Sequence, residues 1–209
     1  MVSGPRAAIL QSGSLGRVII RPMTTWSFVR HGESTANFEG WFAGHRDAPL
    51  TPRGEAQAIA ARSRLEGVPF RRAFASDLQR AWRTAELLLE GRDVRLQATA
   101  ALRERGCGDW EERRIEEIAA AGDMQVFVSW TLRPPGGESL RDTAERAIRF
   151  LHEIDDGTDT LIVAHGALLR ATVGLADGMD RDAIGLWRPD NCEVIVREYP
   201  VGHFATLTC

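Results

Sequence analysis

The sequence predicts an α/β fold in which helices cover a mostly parallel sheet. Short apolar runs alternate with amphipathic stretches along most of the chain, which is the pattern of βα units. The run at residues 160–164 is apolar almost without interruption, as is typical of a strand buried on both faces. The chain contains no internal repeat or low-complexity tract, so residues 23–209 are expected to form a single domain.

The first half of the chain contains the clearest βα units. A strand is predicted at residues 25–29, where five mostly apolar residues precede a charged turn. A helix is predicted at residues 51–67, because Pro52 suits the first helical position and a glycine ends the amphipathic stretch. A second strand follows at residues 72–75.

The next helix has apolar residues at helical spacing and Arg80 in its first turn, and Ser76 or Asp77 is expected to cap it. Later in the chain, Ser139 and Asp142 predict a capping box at the start of a long helix. The remaining predicted elements are a strand at 94–96, helices at 111–121, 123–130 and 139–154, a strand at 160–164, a helix after 166, and strands at 192–198 and 203–207.

The charged residues exclude several classes of chemistry. All 26 basic side chains are arginine, so a Walker A phosphate loop, a Schiff-base lysine and a lysine general base are ruled out. With 29 acidic residues the net charge is -3, which argues against a nucleic-acid partner. Clustered arginines can still form a local anion site.

Cys107, Cys192 and Cys209 are widely separated and lack CxxC spacing, so free thiols in a reducing cytosol are expected. No apolar run approaches the ~18 residues that a membrane span needs, and we expect a cytoplasmic protein without a membrane partner. Residues 1–22 contain arginine but no acid, as mitochondrial transit peptides do. We favour an N-terminal extension, either mobile or due to an upstream start codon, because Met23 precedes the first clear strand.

Two histidines occupy equivalent places in the predicted sheet. His31 and His165 each follow the end of a strand, and each precedes a glycine. In open α/β sheets, ligands bind beyond the carboxyl ends of the strands, so both side chains are expected to face one pocket. Arg30 adjoins the first histidine, and Arg80 lies at a helix start on the same rim. Guanidinium groups bind phosphate through paired hydrogen bonds, so this group predicts a site for a phosphoryl group.

Several short motifs resemble those of the histidine phosphatase superfamily, which includes the phosphoglycerate mutases. They occur in the family's order from about residue 25 to 196: RHGES at 30–34 with Asn37, PLTPRG at 49–54, SDLQRA at 76–81, LRE at 102–104, GDWE at 108–111, GES at 137–139 and VAHG at 163–166. Because several motifs occur together in the family's order, the match is far more specific than any single motif.

The resemblance implies a three-layer α/β/α sandwich of the phosphoglycerate mutase-like type and a phosphohistidine mechanism. His31 would be the nucleophile, attacking phosphorus as a neutral imidazole whose other nitrogen is held by an acceptor such as a backbone carbonyl. Glu104 would protonate the leaving alkoxide and then activate water, with His165 as a third catalytic residue. The residues implied to bind phosphate are Arg30, Asn37, Arg80 and His165.

Departures from the mutase pattern favour a phosphatase. Ala43 stands where mutases carry Ser or Thr, and Ile115 stands where they carry Lys. Only residues 105–135 separate the acid from Gly136, which is shorter than the expected mutase insertion. A mutase must keep water out while its phosphorylated intermediate reorients, and a shorter, less polar lid admits water. We therefore expect a phosphomonoesterase of the histidine acid phosphatase type.

Three alternatives remain open. The chain could be a phosphoglycerate mutase, or a catalytically silent protein that binds a phosphorylated ligand. His31, Glu33, Glu104 and His165 can also be drawn as a metal site, but His-Gly-Glu is not a typical ligand spacing and neighbouring arginines disfavour a cation. We expect no cofactor and no metal, a small phosphomonoester as substrate, and we leave a homo-oligomer open.

Overall fold

The computed structural model describes residues 7–9 and 20–209, and a six-stranded sheet lies at its centre. The strands are β1 (Ala7–Ile9), β2 (Ile20–Arg30), β3 (Arg72–Ser76), β4 (Arg95–Thr99), β5 (Thr160–Ala164) and β6 (Val194–Pro200). Four strands run parallel in the order β2, β5, β3, β4, whereas β1 and β6 each pair antiparallel with β2. The sheet is mostly parallel, as the sequence predicts.

The register of the central strand pair positions the ends of the two strands side by side. In β2 and β5, Arg30 is paired with Ala164, so both strands end at the same edge of the sheet. His31 and His165 follow these two residues directly. The expectation that the two histidines meet at one edge is therefore met by strand register alone.

Helices cover both faces of the sheet. They are α1 (Thr35–Glu39), α2 (Pro52–Ala61), α3 (Gln79–Leu89), α4 (Ile115–Ala120), α5 (Gln125–Val128), α6 (Leu140–Glu153), α7 (Gly166–Ala176) and α8 (Arg181–Leu186). Alternate strand residues such as Phe28 and Ile162 share one buried cluster with α6 and α7. Their neighbours Val29 and Val163 share another with α2 and α3. This alternation produces the three-layer α/β/α sandwich.

Of the two helix caps predicted from the sequence, that of α6 is confirmed and that of α3 is wrong. Ser139 and Asp142 form the expected capping box, in which the Ser139 hydroxyl accepts from Asp142 N–H and the Asp142 carboxylate accepts from Ser139 N–H. The prediction for α3 is wrong, because its N-cap residue is Leu78 and makes no side-chain cap bond. A carboxylate from a distant loop caps the helix instead, because Asp47 Oδ1 accepts a hydrogen bond from Gln79 N–H at 2.7 Å.

The segment between β4 and α6 is less helical than predicted. Only α4 and α5 form within the expected helices at 111–121 and 123–130. Glu112 has a φ of 67°, outside the helical region, and its N–H donates to Phe42 O at 2.8 Å. Phe42 N–H in turn donates to Arg113 O. The start of this segment is thus paired to a loop from the other side of the pocket, which a local helical pattern does not reveal.

The strand predicted at residues 203–207 is wrong. This stretch contains a 3-10 turn at Phe204–Thr206. Phe204 is buried against Trp26, with ring centroids 4.8 Å apart, and His203 Nε2 meets Ala176 O at 3.0 Å. Packing against the sheet face and α7 replaces strand pairing here. Helices α1 and α8 and the early start of β2 are also absent from the predicted elements.

The predicted N-terminal extension lies mostly outside the described residues. Of residues 1–22, the structure describes β1 and residues 20–22 of β2, and these two segments pair with each other. Within the described part of the chain no helix has the length and apolar character needed to cross a membrane. The three cysteines are free thiols, and Cys107 and Cys192 are buried.

Candidate active site

His31 follows β2 and begins a tight turn at the carboxyl end of the sheet. Its N–H donates to Ala164 O (2.9 Å), which attaches the turn to β5. The ring Nδ1 lies 2.7 Å from Gly32 O. Because a carbonyl oxygen only accepts, Nδ1 carries the proton and Nε2 keeps a free lone pair. This carbonyl is the kind of backbone acceptor that a phosphohistidine mechanism implies, and it leaves Nε2 as the ring nitrogen with a free lone pair.

Glycine and a threonine hold the turn in place. A Cβ at Gly32 would lie 2.3 Å from Gly54 O, so only glycine fits there. Gly32 N–H donates to Thr84 Oγ1 (3.0 Å), and the Thr84 hydroxyl donates to Arg80 O (2.7 Å). The turn is thereby tied to α3, so His31 and Arg80 are positioned by the same set of hydrogen bonds.

Arg80 and His165 form a buried pair beside His31. Arg80 is 1% exposed and donates through Nε to His165 Nδ1 (3.2 Å) and through its Nη atoms to Arg46 O and Gly44 O. Because a guanidinium only donates, His165 Nδ1 accepts and its Nε2 carries the ring proton. That Nε2 is buried without a hydrogen-bond partner. The two imidazole rings lie 5.0 Å apart.

Arg30 adds a third set of donors at the same place. Its Nη1 donates to Pro189 O (2.7 Å), and its Nε is buried without a partner. In the described part of the chain neither Arg30 nor Arg80 forms an ion pair with a carboxylate. Burying charges and N–H donors without partners costs free energy unless a ligand satisfies them. The group therefore suits a compact anion that accepts several hydrogen bonds.

The electrostatic environment keeps both histidines neutral. Burial, reinforced by the positive charges of Arg80 and Arg30, holds the pKa of His31 well below its usual 6.5. Burial and Arg80 act on His165 in the same direction. Burial also lowers the pKa of Arg30 and Arg80, but a guanidinium stays protonated near neutral pH. The site thus combines uncharged imidazoles with positively charged neighbours.

Glu104 lies at the N-terminus of α7. Its carboxylate accepts hydrogen bonds from the N–H groups of Ala167 (3.1 Å) and Leu168 (3.2 Å) in the first turn of that helix, and from Arg105 N–H (2.9 Å). The helix's own N-cap residue, His165, makes no side-chain cap bond. Glu104 therefore caps α7 from 63 residues away. Its side chain lines the same cavity as His31.

A network of charged side chains supports the backbone of Glu104. Glu104 O accepts from Arg146 Nη2 (3.2 Å) and lies 2.8 Å from His45 Nε2. Arg146 also pairs with Glu138 (2.8 Å), and Glu138 Oε2 accepts from Gly106 N–H (2.8 Å). None of these residues is predicted from the sequence to belong to the site. Their contacts are long-range, and only Glu138 lies in one of the family motifs, GES at 137–139.

Asn37 is exposed at the rim of the cavity and belongs to the capping box of α1 with Ser34. Its Oδ1 accepts from Asn191 Nδ2 (3.3 Å), and the same Asn191 amide donates to His31 O (2.9 Å). Asn191 is thus a site residue that is not predicted from the sequence. Its contacts join residues 154 and 160 positions apart, so no local pattern marks it.

These side chains surround a cavity of about 180 Å³. Its outer wall is apolar, and Phe42 and Phe127 stack within it with ring centroids 4.2 Å apart. Ile115 and Trp41 also line it. The cavity is therefore positive at its base, where the arginines lie, and apolar at its entrance. A phosphoryl group suits the base, and the organic part of an ester suits the wall.

The alternative metal set does not assemble. The carboxylate of Glu33 accepts from the Thr51 hydroxyl (2.8 Å) and lies 3.4 Å from Arg53 Nη1, so it is engaged in the loop before α2. Across the described ranges no three His, Cys, Asp or Glu side chains are grouped as metal ligands.

The structure brings the sequence-predicted residues to one place. Five of the six line the cavity: Arg30, His31, Asn37, Arg80 and Glu104. The sixth, His165, is fully buried next to His31 and Arg80.

The chain is similar in sequence to a known protein family and to several named enzymes. The model of the histidine phosphatase superfamily (branch 1) matches residues 26–209. The chain is 37% identical over 185 residues to 2,3-bisphosphoglycerate-dependent phosphoglycerate mutase 2 of Gloeobacter violaceus, covering 83% of this chain and 81% of that protein. It is 35% identical over 173 residues to an adenosylcobalamin/alpha-ribazole phosphatase of Salmonella typhimurium, covering 79% and 84%.

A similar fold occurs among solved structures. A mycobacterial glucosyl-3-phosphoglycerate phosphatase, solved in complex with VO3, superposes with a TM-score of 0.75 at 25% identity. The match covers 86% of this chain and 98% of that one.

Proposed function

The chain belongs to branch 1 of the histidine phosphatase superfamily, and we propose that it hydrolyses phosphomonoesters through a phosphohistidine on His31, without a metal ion. One observation supports this above the others: the neutral His31 Nε2 lies among buried donors that have no protein partner. A phosphoryl group would satisfy those donors while its phosphorus faces the nucleophile.

In the first step of the proposed reaction, His31 Nε2 attacks phosphorus and the bond from phosphorus to the ester oxygen breaks. Arg30, Arg80 and His165 donate hydrogen bonds to the equatorial oxygens, where negative charge accumulates. The leaving alkoxide takes a proton from the carboxylic acid of Glu104. The products of this step are a free alcohol and a phosphorylated imidazole.

In the second step, water attacks the phosphohistidine and Glu104, now a carboxylate, accepts a proton from that water. The bond from Nε2 to phosphorus breaks, inorganic phosphate leaves and His31 returns to its neutral form. The hydrogen bonds that Glu104 accepts from α7 suit the carboxylate form that this step requires. The contacts of Arg146 and His45 with Glu104 O would hold the residue at the cavity in both steps.

Hydrolysis is favoured over phosphoglycerate interconversion by the residues at the cavity entrance. Ala43 and Ile115 line the cavity and offer a substrate neither a hydroxyl nor an ammonium group. The mutase activity remains the second candidate, because one of the relatives, at 37% identity, is a phosphoglycerate mutase. Rapid interconversion of 3- and 2-phosphoglycerate primed by bisphosphoglycerate, with little phosphate release, would favour the mutase.

The test is phosphate release from a panel of phosphomonoesters in the presence of a chelator. The native chain is compared with His31→Ala and with His152→Ala, an exposed histidine on α6 that serves as the matched control. We expect release that survives chelation, disappears in His31→Ala and persists in His152→Ala. Acid-labile, alkali-stable labelling of the native chain by a 32P ester would identify the phosphohistidine. Release that requires a metal, or that His31→Ala retains, would refute the proposal.

We also propose that the enzyme works in the cytoplasm. The three free thiols support this, because a reducing compartment keeps cysteines unpaired. Fractionation of cells that express the tagged full-length chain tests it, and recovery with a membrane or organelle fraction would contradict it.

A further inference from the structure

A second compartment adjoins the phosphoryl site. It has a volume of about 290 Å³ and shares Arg30 and Glu104 with the first cavity. One wall is apolar, formed by Phe42, Ile115, Met124 and Phe127. Two arginines to which the reaction assigns no role, Arg170 and Arg188, also line the compartment.

The two arginines converge on a single carbonyl group. Arg170 Nη1 donates to Gly185 O at 2.8 Å, and Arg188 Nη1 donates to the same oxygen at 2.5 Å. The two guanidinium groups are therefore close neighbours, although like charges repel. Arg170 is almost fully buried, and its remaining contact is with Phe127 O. Its position is determined by packing, whereas Arg188 is exposed at the compartment.

The acidic residue that lines this compartment, Glu104, acts on Arg170 only through space. Within the described residues neither arginine pairs with a carboxylate, and Arg170 Nε is buried without a partner. Arg188 Nη1 also donates to Trp187 O, and its Nε and Nη2 have no hydrogen-bond partner among the residues that the structure describes. Burial and then repulsion from Arg188 lower the pKa of Arg170 to about 9. An anion between the two side chains would relieve this repulsion.

A purely structural role accounts for only part of this arrangement. Arg188 Nη1 on Gly185 O stabilises the carboxyl end of α8, as cations near helix C-termini do. That contact needs one nitrogen and does not require the guanidinium to border a cavity. The compartment that Arg188 lines shares Arg30 and Glu104 with the phosphoryl site, and a structural role leaves this shared lining unexplained.

We propose that this second compartment binds another anionic group of the substrate, with Arg188 as the residue that recognises it. The substrate class is then a phosphomonoester whose alcohol part carries an apolar body and ends in a carboxylate or a second phosphate. This inference rests on the proposed function, because it assumes that the phosphoryl group lies against His31. It adds a specificity determinant that takes no part in bond breaking.

Matched esters test the proposal. Carboxyphenyl phosphate and carbamoylphenyl phosphate, each as meta and para isomers, differ in charge but little in size. We expect the native chain to favour the carboxylate in kcat/KM by about tenfold, the order of a half-exposed charge-assisted hydrogen bond. The preference should fall to about one in Arg188→Gln and recover in part in Arg188→Lys. Arg95→Gln serves as the control, because it removes an exposed charge at the amino end of β4, whereas the site lies at the carboxyl ends of the parallel strands. This variant should keep the native preference.

Phenylene bisphosphate distinguishes the two sources of negative charge. A higher kcat/KM than that of the carboxylate ester would identify a second phosphate as the group bound, and a lower one a carboxylate. The proposal is overturned if the native chain shows no preference for the charged esters, or if Arg188→Gln keeps that preference.

The same esters are also titrated into His31→Ala by calorimetry, so the result does not depend on turnover. A charge preference in affinity that Arg188→Gln abolishes in this background supports the subsite, and its absence refutes it. If no ester releases phosphate but the charge preference in binding is present, the proposed hydrolysis fails while the anion subsite stands. If the carbamoyl ester is hydrolysed through His31 without any charge preference, the hydrolysis stands and the subsite fails.

Discussion

Acidification is expected to destabilise the fold through His31 and His165. Burial and the charge of Arg80 hold the pKa of both imidazoles well below the usual 6.5. The unfolded chain has no such constraint, so between the folded and unfolded pKa values it binds more protons than the native protein. The free energy of unfolding therefore increases with pH in this window. The stability that the two neutral histidines contribute is lost as the pH falls below about 6.5.

The size of the effect follows from the two histidines being neutral in the native protein. For each imidazole that stays neutral while its unfolded counterpart titrates at 6.5, lowering the pH from about 7.5 to about 5.5 costs about 1.4 kcal/mol. Two such groups cost roughly 2.7 kcal/mol, a large part of the stability of an ordinary domain. His31→Ala and His165→Ala should each reduce the loss to about half.

Urea unfolding at the two pH values measures the loss. Buffers free of phosphate are required, because a bound anion would favour the protonated imidazoles. Comparison of the native chain with the two alanine variants removes the contributions of all other titrating groups, since only one histidine differs each time. If all three chains lose the same free energy of unfolding, His31 and His165 are not held neutral and the reasoning is refuted.

Two further substitutions separate stability from activity. Ser139→Ala removes the cap of α6 at a residue that does not line the cavity. It should lower the free energy of unfolding by about 1 kcal/mol with kcat/KM unchanged, as urea unfolding and phosphate release will show. A fall in kcat/KM would link that cap to the site. Asn191→Ala removes the amide that donates to His31 O. It should reduce kcat/KM about tenfold, because the imidazole of His31 is then held less firmly in its position. Full activity in that variant would show that Asn191 does not position His31.

Much of the fold was accessible from the sequence because its signals are local. The continuous apolar run of β5 and the Ser139-to-Asp142 spacing depend on residues within one or two turns, and both predictions are confirmed. The positions of His31 and His165 follow from the same kind of signal, since each histidine follows a buried strand. The register of two adjacent parallel strands then brings them together.

The errors arise where distant contacts override a local pattern. Residues 203–207 are predicted to form a strand, yet burial of Phe204 against Trp26 stabilises a 3-10 turn instead. The capping side chain of α3 comes from Asp47 rather than from its own sequence neighbours. In each case the deciding partner is far away in the chain, and periodicity carries no information about it.

The α/β class, the places of the two histidines and the family motifs are therefore all readable in the sequence alone. The folded chain adds which donors lack partners among the described residues, that Glu104 caps α7, and that Arg170 and Arg188 share one carbonyl oxygen. These features could not be predicted because hydrogen-bond partners and burial depend on the packing of segments far apart in sequence. The spacing of residue types along the chain reports only on neighbours within a turn or a strand.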